Sequence, residues 1–343
     1  MIIVNGSHGE GGGQILRTAL ALSAVAGEAC SITNIRKNRP NPGLQNQHLE
    51  AMRAVAELCS AETKGLEMHS TEVEFHPGKI SKEGLEVSIK TAGSVGLVLQ
   101  PLMIAASQSG RTIDVEIKGG ATNGKWAPPV NYVKHVLAPM LGKMSYKTNI
   151  EIERYGYYPK GGAHVFARLT GTKLEPVNLT ERGNIIGLTG ISHASAALQK
   201  AKVADRQALA AMKELKMATH ESSIAMNYVE TANPGSGIEI FAETENSIFG
   251  SDALGEVKKK AEDVGKEAAR RMAATLKAHS CVDEYMEDQI LPYMALAAEG
   301  GKSRIKVPVL TGHTKTNIWV IEKFLNVKFD VDEKSKIIIC GQS

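Results

Sequence analysis

A helix, a glycine-containing turn, a β-rich strand, a loop and a second amphipathic helix recur three times along the 343 residues. No single motif constrains the fold as much, because a supersecondary unit repeated in one chain must bury its apolar faces against its own copies. In the first copy Gln14 to Ala26 reads as the helix and Gly27 as its stop. Cys30 to Ile35 is the strand, Arg36 to Asn46 the loop and Gln47 to Cys59 the second helix. The second copy has a helix from Val95 to Ala106, a turn near Gly110 and a strand from Thr112 to Lys118. Its loop runs from Gly119 to Pro129, and its second helix from Val130 to about Gly142. The third begins at Asp288, turns at Gly300 and Gly301, and has a strand from Arg304 to Leu310, a loop around His313 and a helix from Asn317 to Phe324.

The interval from the second copy to the third is more than twice that from the first to the second, which calls for an insertion. Asn184 to about His279 fits it: Ile185 to Ile191 and Gly237 to Ala242 read as strands, Ala194 to Lys216 as a helix, and Gly255 to Lys277 as a long Lys- and Glu-rich helix. The expectation is an α/β fold in two parts. Residues 1–183 and 280–343 form the large repeat-built domain, and residues 184–279 form an inserted α/β domain.

Composition narrows the class. With 43% hydrophobic and 22% charged residues, the chain has the balance of a globular protein and not of a disordered one. No apolar run reaches the ~18 residues a membrane helix needs. Residues 1–6 lack the basic and apolar regions of a secretory signal, so a cytoplasmic protein is expected. Cys30, Cys59, Cys281 and Cys340 never pair as Cys-x-x-Cys, which argues against a zinc ribbon or a redox pair and for buried, reduced thiols. A net charge of +3 permits nucleic-acid binding without demanding it.

Three clusters carry chemistry. Gly9-Glu10-Gly11-Gly12-Gly13-Gln14-Ile15-Leu16-Arg17 places successive glycines before a helix, where backbone N–H groups can approach an anion; a flexible strand-to-helix turn reads the same way. Arg36, Lys37 and Arg39 lie in a loop stiffened by Pro40, Pro42 and Gly43, which makes either a phosphate clamp or a solvated loop. Thr311-Gly312-His313-Thr314-Lys315-Thr316-Asn317 follows an apolar strand and opens a helix, with Thr316 as the available N-cap. A histidine there can serve as nucleophile or base, although most histidines in a chain with ten of them are structural. Gly119 to Lys125 nearly spells a phosphate-binding P-loop. Trp126 stands where the Mg²⁺-binding hydroxyl belongs and Pro128 and Pro129 block the helix that should follow, so a Walker-type ATPase is excluded.

Together these clusters resemble the RNA 3′-terminal phosphate cyclase family. The likeness rests on the Gly9–Arg17 stretch, Arg39 to His48, Gly93-Ser94-Val95-Gly96-Leu97-Val98-Leu99-Gln100, Gly119 to Asn123, Ala127-Pro128-Pro129, Tyr157 to Gly162, Asp288-Gln289 and His313 to Asn317. These pieces follow the family's order over nearly the whole chain. The resemblance implies three βαβαββ repeats about a pseudo-threefold axis with a smaller α/β insertion.

It also implies a reaction: ATP adenylylates a histidine, AMP passes to an RNA 3′-phosphate, and the neighbouring 2′-OH closes a 2′,3′-cyclic phosphate with release of AMP. By the same likeness His313 is the nucleotide-accepting histidine. Gln100 and the stretch Tyr285, Met286, Glu287, Asp288 and Gln289 contact ATP, and Glu10, Gln14, Arg17, Arg39 and Gln47 surround the phosphates. Glu10 is the candidate ligand of a divalent metal, Mg²⁺ or Mn²⁺. Two other branches share parts of the pattern. Cyclase-like RNA-binding proteins of ribosome biogenesis do no catalysis and lack the histidine. Enolpyruvyl transferases carry six copies of the unit and use no nucleotide, so fold likeness alone does not assign function.

Overall fold

The computed structural model describes residues 1–10, 12–216 and 222–343, so Gly11 of the glycine cluster lies outside the described residues. The chain begins with β1 (Ile2–Asn5), α1 (Gly13–Ala26), β2 (Cys30–Thr33), α2 (Asn46–Leu58), β3 (Glu62–Lys64) and β4 (Val73–His76). It continues with β5 (Gly84–Ser94), α3 (Val95–Ala106) and β6 (Thr112–Ala121). One helical rod follows, from α4 (Val130–Tyr132) through a π-helical turn (Val133–Leu137) into α5 (Ala138–Gly142). Then come β7 (Lys147–Arg154), β8 (His164–Thr170) and the short β9 (Asn178–Leu179).

A different run occupies the next hundred residues: β10 (Ile185–Ser195), a 3₁₀ turn (Ala196–Ala201), α6 (Val203–Leu215), β11 (Ser222–Val229), β12 (Ser236–Thr244), β13 (Ile248–Leu254) and α7 (Ala261–Lys277). The chain closes with α8 (Met286–Gln289), α9 (Leu291–Leu296), a 3₁₀ turn (Ala298–Gly300), β14 (Ser303–Lys306), α10 (Gly312–Phe324), β15 (Val327–Asp332) and β16 (Ile337–Gln342).

Four four-stranded sheets result. Three have the orders β1-β2-β4-β3, β5-β6-β8-β7 and β9-β14-β16-β15. In each, the first pair is parallel and the other two pairs are antiparallel. A parallel pair requires a crossover, and α1, α3 and the α8–α9 region lie in the respective connections. The fourth sheet, β11-β10-β12-β13, differs in order, and its strands lie between β9 and β14 in sequence.

The cores follow from side-chain pattern. α1 and α3 are apolar nearly all round and lie buried. They share one large core with Val4, Ile32, Phe75, Ile117, Val165, Tyr293, Ile305 and Ile338. A second core is separate: Leu188, Ile224, Ile238, Ile240 and Phe249 of the fourth sheet pack on Ala208, Ala211 and Leu215 of α6 and Val264, Ala268 and Met272 of α7. Gly265 lets α6 and α7 touch, since a Cβ there would collide with the carbonyl oxygen of Gln207.

Element boundaries differ from the sequence expectation for local reasons. The strand expected over Cys30–Ile35 ends at Thr33, because Asn34 and Arg36 take positive φ of 52° and 54°. The strand expected over Arg304–Leu310 ends at Lys306, ahead of Pro308, which has no N–H for a ladder. The helix expected over Ala194–Lys216 starts at Val203, since β10 runs on to Ser195 and Lys202 breaks the chain at φ 50°. The Gly255–Lys277 helix starts at Ala261. The sequence reading placed no strand at β1, β3, β4, β5, β7, β8, β9, β11, β13, β15 or β16. Replacing Gly265 by Ala is expected to lower stability by about 1–3 kcal/mol through overpacking of α6 on α7. Urea unfolding checks this, and an unchanged midpoint would contradict the close helix pairing.

Candidate active site

The β1–α1 turn, α8 and α10 meet through one side chain. Gln14, second residue of α1, has its Oε1 2.7 Å from Nδ1 of His313 and donates through Nε2 to Oδ2 of Asp288 at 2.6 Å. An amide oxygen only accepts, so Nδ1 of His313 carries the proton and the lone pair is left on Nε2. That side of the imidazole is reachable: His313 is 48% exposed.

His313 sits in the first turn of α10, and here the sequence reading is corrected. The N-cap is Thr311, whose hydroxyl accepts from the Thr314 N–H at 3.1 Å, and not Thr316, which is buried inside the helix. The helix therefore begins one residue before the histidine. The end of α1 is uncapped: Gly12 supplies no side chain for its free N–H groups. Two helix N-termini thus converge at His313, an arrangement that favours an anion.

The polar wall is built in layers. Oε2 of Glu10 lies 3.1 Å from Nε2 of His313. A lone pair and a carboxylate oxygen at that separation need a proton or a cation between them. Glu10 is placed by Arg39, whose Nη2 donates to the Glu10 carbonyl at 2.9 Å, while the buried Arg39 Nε has no partner. Gly312 has no room for a Cβ beside the Glu10 carboxylate. Arg17 donates from Nε to Oε1 of Gln100 at 2.9 Å, which ties α1 to α3. Gln47 is exposed at the start of α2, and a Cβ on Gly93 would come within 3.7 Å of its Cβ.

Burial sets the charges. Arg17 is lowered to about 10 by loss of solvent, opposed by Asp288, and stays cationic at neutral pH. Asp288 is pushed up to about 7 by burial and by Glu287, against the pull of Arg17. His48 is lowered to about 3 by burial and the cations Arg17 and Arg36, so it is neutral.

The stretch from Tyr285 to Gln289 divides. Asp288 bonds Gln14, and partly exposed Tyr285 donates to Oδ1 of Asp252 at 2.9 Å. Met286 is fully buried, and buried Glu287 accepts from the Thr314 hydroxyl at 2.7 Å. Gln289 turns back to the Tyr285 carbonyl at 2.8 Å. The side chains of Met286 and Glu287 are thus buried beneath the stretch, while Asp288 reaches Gln14.

Three supporting residues were given no role of their own by the sequence reading. Asn317 accepts from Thr18 at 2.8 Å and donates to the Asp288 carbonyl at 2.7 Å, locking α10 to α1 and α8. His48 takes the Gln45 N–H on Nδ1 and fills the space where a Cβ of Gly13 would lie. His8 stacks on Trp319 at 3.8 Å between ring centroids. A polar residue on the inward face of a helix was the available signal for Asn317 and His48; His8 gave none.

Among the described residues no group of three or more His, Cys, Asp or Glu side chains gathers as a cation site. Glu10 alone fits a cation held mainly by ligand oxygens and water. No helix among the described residues is long and apolar enough to cross a membrane. A depression of about 610 Å³ lined by Glu86, Asp114, Phe166 and Arg168 shares no lining residue with the site.

A sequence profile described as RNA 3′-terminal phosphate cyclase matches residues 8–331. The chain is similar to proteins named RNA 3′-terminal phosphate cyclase from several archaea. It is 45% identical to the Pyrococcus furiosus protein over 333 residues, covering 96% of this chain and 95% of that one. It is 44% identical to the Methanopyrus kandleri protein over 342 residues, covering 97% and 96%. The Methanococcoides burtonii protein is also 44% identical, over 339 residues and 98% of each chain.

The raised Asp288 pKa has a testable sign. The folded chain binds this proton more tightly than the unfolded chain, where aspartate titrates near 3.9, so this group's contribution to stability falls as pH rises from about 4 to about 7. Asp288→Asn is expected to remove that decline and to gain on the wild type across this interval. Urea unfolding at stepped pH checks it, and parallel stability curves would contradict it.

Proposed function

We propose, from the premise that the chain belongs to the RNA 3′-terminal phosphate cyclase family and is an enzyme of it, that it converts an RNA 3′-terminal phosphate into a 2′,3′-cyclic phosphate at the expense of ATP. The observation that carries the mechanism is His313: half exposed, with Nδ1 held by Gln14 and Nε2 free of any neutral donor, at the junction of two helix N-termini.

Three displacements follow. Nε2 of His313 attacks the α-phosphorus of ATP; an N–P bond forms, the Pα–O bond to the β-phosphate breaks, and diphosphate leaves with the electron pair. An oxygen of the RNA 3′-phosphate then attacks the same phosphorus, the N–P bond breaks and the imidazole recovers its lone pair. Last, the 2′-OH attacks the 3′-phosphorus, AMP departs and the hydroxyl proton goes to solvent. The final step is intramolecular, which lowers its entropic barrier. A phosphate monoester dianion is a poor electrophile, and AMP supplies the leaving group it lacks.

Each site residue has a role in this reading. Gln14 keeps the proton on Nδ1, Arg17 and Arg39 neutralise phosphate charge, and the unpartnered Arg39 Nε is a donor for a phosphate oxygen. Gln100 sets the Arg17 fork. Glu10 would hold a divalent cation, Mg²⁺ or Mn²⁺, whose chemistry is charge neutralisation on the triphosphate. Tyr285 and Gln47 are the accessible contacts, buried Gln289 braces Tyr285 through its carbonyl, and Asp288 acts through Gln14.

We further assign residues 1–183 and 280–343 to a large domain of three βαβαββ repeats about a pseudo-threefold axis, and 184–279 to an inserted domain. The like order and sense of three sheets and the separate second core support this. The four buried free thiols suit a reducing cytoplasm.

His313→Asn is expected to abolish transfer of label from α-labelled ATP to the protein, and with it cyclisation. Gln14→Leu should slow labelling by roughly 10–100-fold, the scale of losing an orienting partner. Denaturing gels of protein incubated with labelled ATP and divalent metal check both. Labelling of His313→Asn at the wild-type rate would overturn the nucleophile assignment.

A further inference from the structure

Trp126 is 95% exposed, the most exposed large apolar side chain of the described residues. Its backbone is left-handed, at φ 60°, a conformation that costs a bulky residue about 1–2 kcal/mol. Neither feature helps the fold: an indole in water buries nothing, and the strain must be held by contacts elsewhere. Strain of this kind persists only where the surroundings impose it.

The surroundings are visible. The loop between β6 and α4 is closed at its neck by the Val130 N–H donating to the Thr122 carbonyl at 2.9 Å. From the side of the fourth sheet two carboxylates grip it. Asn123 donates to Oε1 of Glu239 on β12 at 2.5 Å, and the Lys125 ammonium meets Glu256 at 2.7 Å. The first grip is fully buried and part of a network: Glu239 also takes Asn131 at 3.0 Å and faces His193 Nε2 at 3.1 Å, while His193 Nδ1 meets the Tyr157 hydroxyl at 2.5 Å. On the other side the loop lies against the start of α3. A Cβ on Gly124 would sit 3.9 Å from Ser94, the N-cap of α3, and a Cβ on Gly96 would strike the Pro128 carbonyl at 2.6 Å. α3 carries Gln100, the partner of Arg17. Trp126 therefore stands on a loop wedged between the α3 terminus and the fourth sheet, and α3 is the helix that meets Arg17 through Gln100.

We propose that Trp126 is a stacking platform for a nucleobase of the RNA strand whose 3′-phosphate enters the cleft, and that the 184–279 unit serves to hold this platform in place. The inference rests on the reading of the chain as an RNA-end enzyme and deepens it. An exposed indole on a braced loop offers its π-face to any base without regard to sequence, which suits a reaction that needs only a terminal phosphate and its 2′-OH. The flanking Lys125 is already spent on Glu256, so the platform contributes by stacking and not by charge.

The test reads binding and catalysis separately on the full-length protein. A 3′-phosphorylated oligoribonucleotide should quench tryptophan fluorescence in the wild type, quench less when its terminal sugars are abasic, and lose that difference in Trp126→Phe. In steady-state cyclisation Trp126→Ala should raise the KM for RNA by about 5- to 100-fold, the range for removing a stacking aromatic. Its self-labelling with ATP alone should match the wild type, which also verifies that it folds. Trp126→Phe should keep the KM within a few-fold. An unchanged KM in Trp126→Ala, or equal quenching by abasic and base-bearing ends, would overturn the platform. So would quenching by ATP alone that vanishes in Trp126→Phe, which would give the indole to adenine. Base-dependent quenching by a wild type that neither labels nor cyclises would uphold the platform and defeat the catalytic reading.

Discussion

The site depends on one primary amide. Gln14 bonds both Asp288 and His313, and its two ends are chemically opposite: an acceptor toward the imidazole and a donor toward the carboxylate. Neither a carboxylate nor an ammonium at this position could satisfy both neighbours. Through it α1, α8 and α10 are brought into register, and the histidine tautomer is fixed by the same contact that positions the ring. Thr18 and Asn317, bonded at 2.8 Å one turn further in, repeat the junction between α1 and α10 below the surface.

Charge is distributed to suit that junction. Asp288 and Glu287 lie beneath the ring with their carboxyls pushed toward the neutral form by burial. The cations Arg17 and Arg39 and two helix N-termini lie around the opening. Negative groups are thus muted below and positive ends are concentrated above, so the cleft favours a polyanion. Glu10, a half-exposed carboxylate, faces Nε2 of His313, the nitrogen proposed to react, and it suits a cation brought in with phosphate.

The α/β class and the α3 limits were legible because long apolar helices and glycine stops leave a strong pattern. β9, two residues long, and β1, four residues long, leave almost none. The site clusters were legible as motifs, since glycines before a helix and arginines in a proline-stiffened loop are local features. What sequence could not supply is what long-range packing decides. Met286 and Glu287 share a motif with Asp288 and yet point to the core, because adjacent positions on a short helix face different ways. Thr311 won the capping role over Thr316 because the helix could extend upstream of the histidine once Glu287 accepted from Thr314.

The central claim is that His313 reacts through Nε2 because Gln14 holds Nδ1. The measurement that tests it most directly is phosphorus–nitrogen coupling by NMR on protein with ¹⁵N-labelled histidine, after reaction with ATP and divalent metal in the absence of RNA. The account predicts a single phosphoramidate whose phosphorus couples to Nε2 of His313. A phosphorus bonded to Nδ1, or to any other residue, would contradict it.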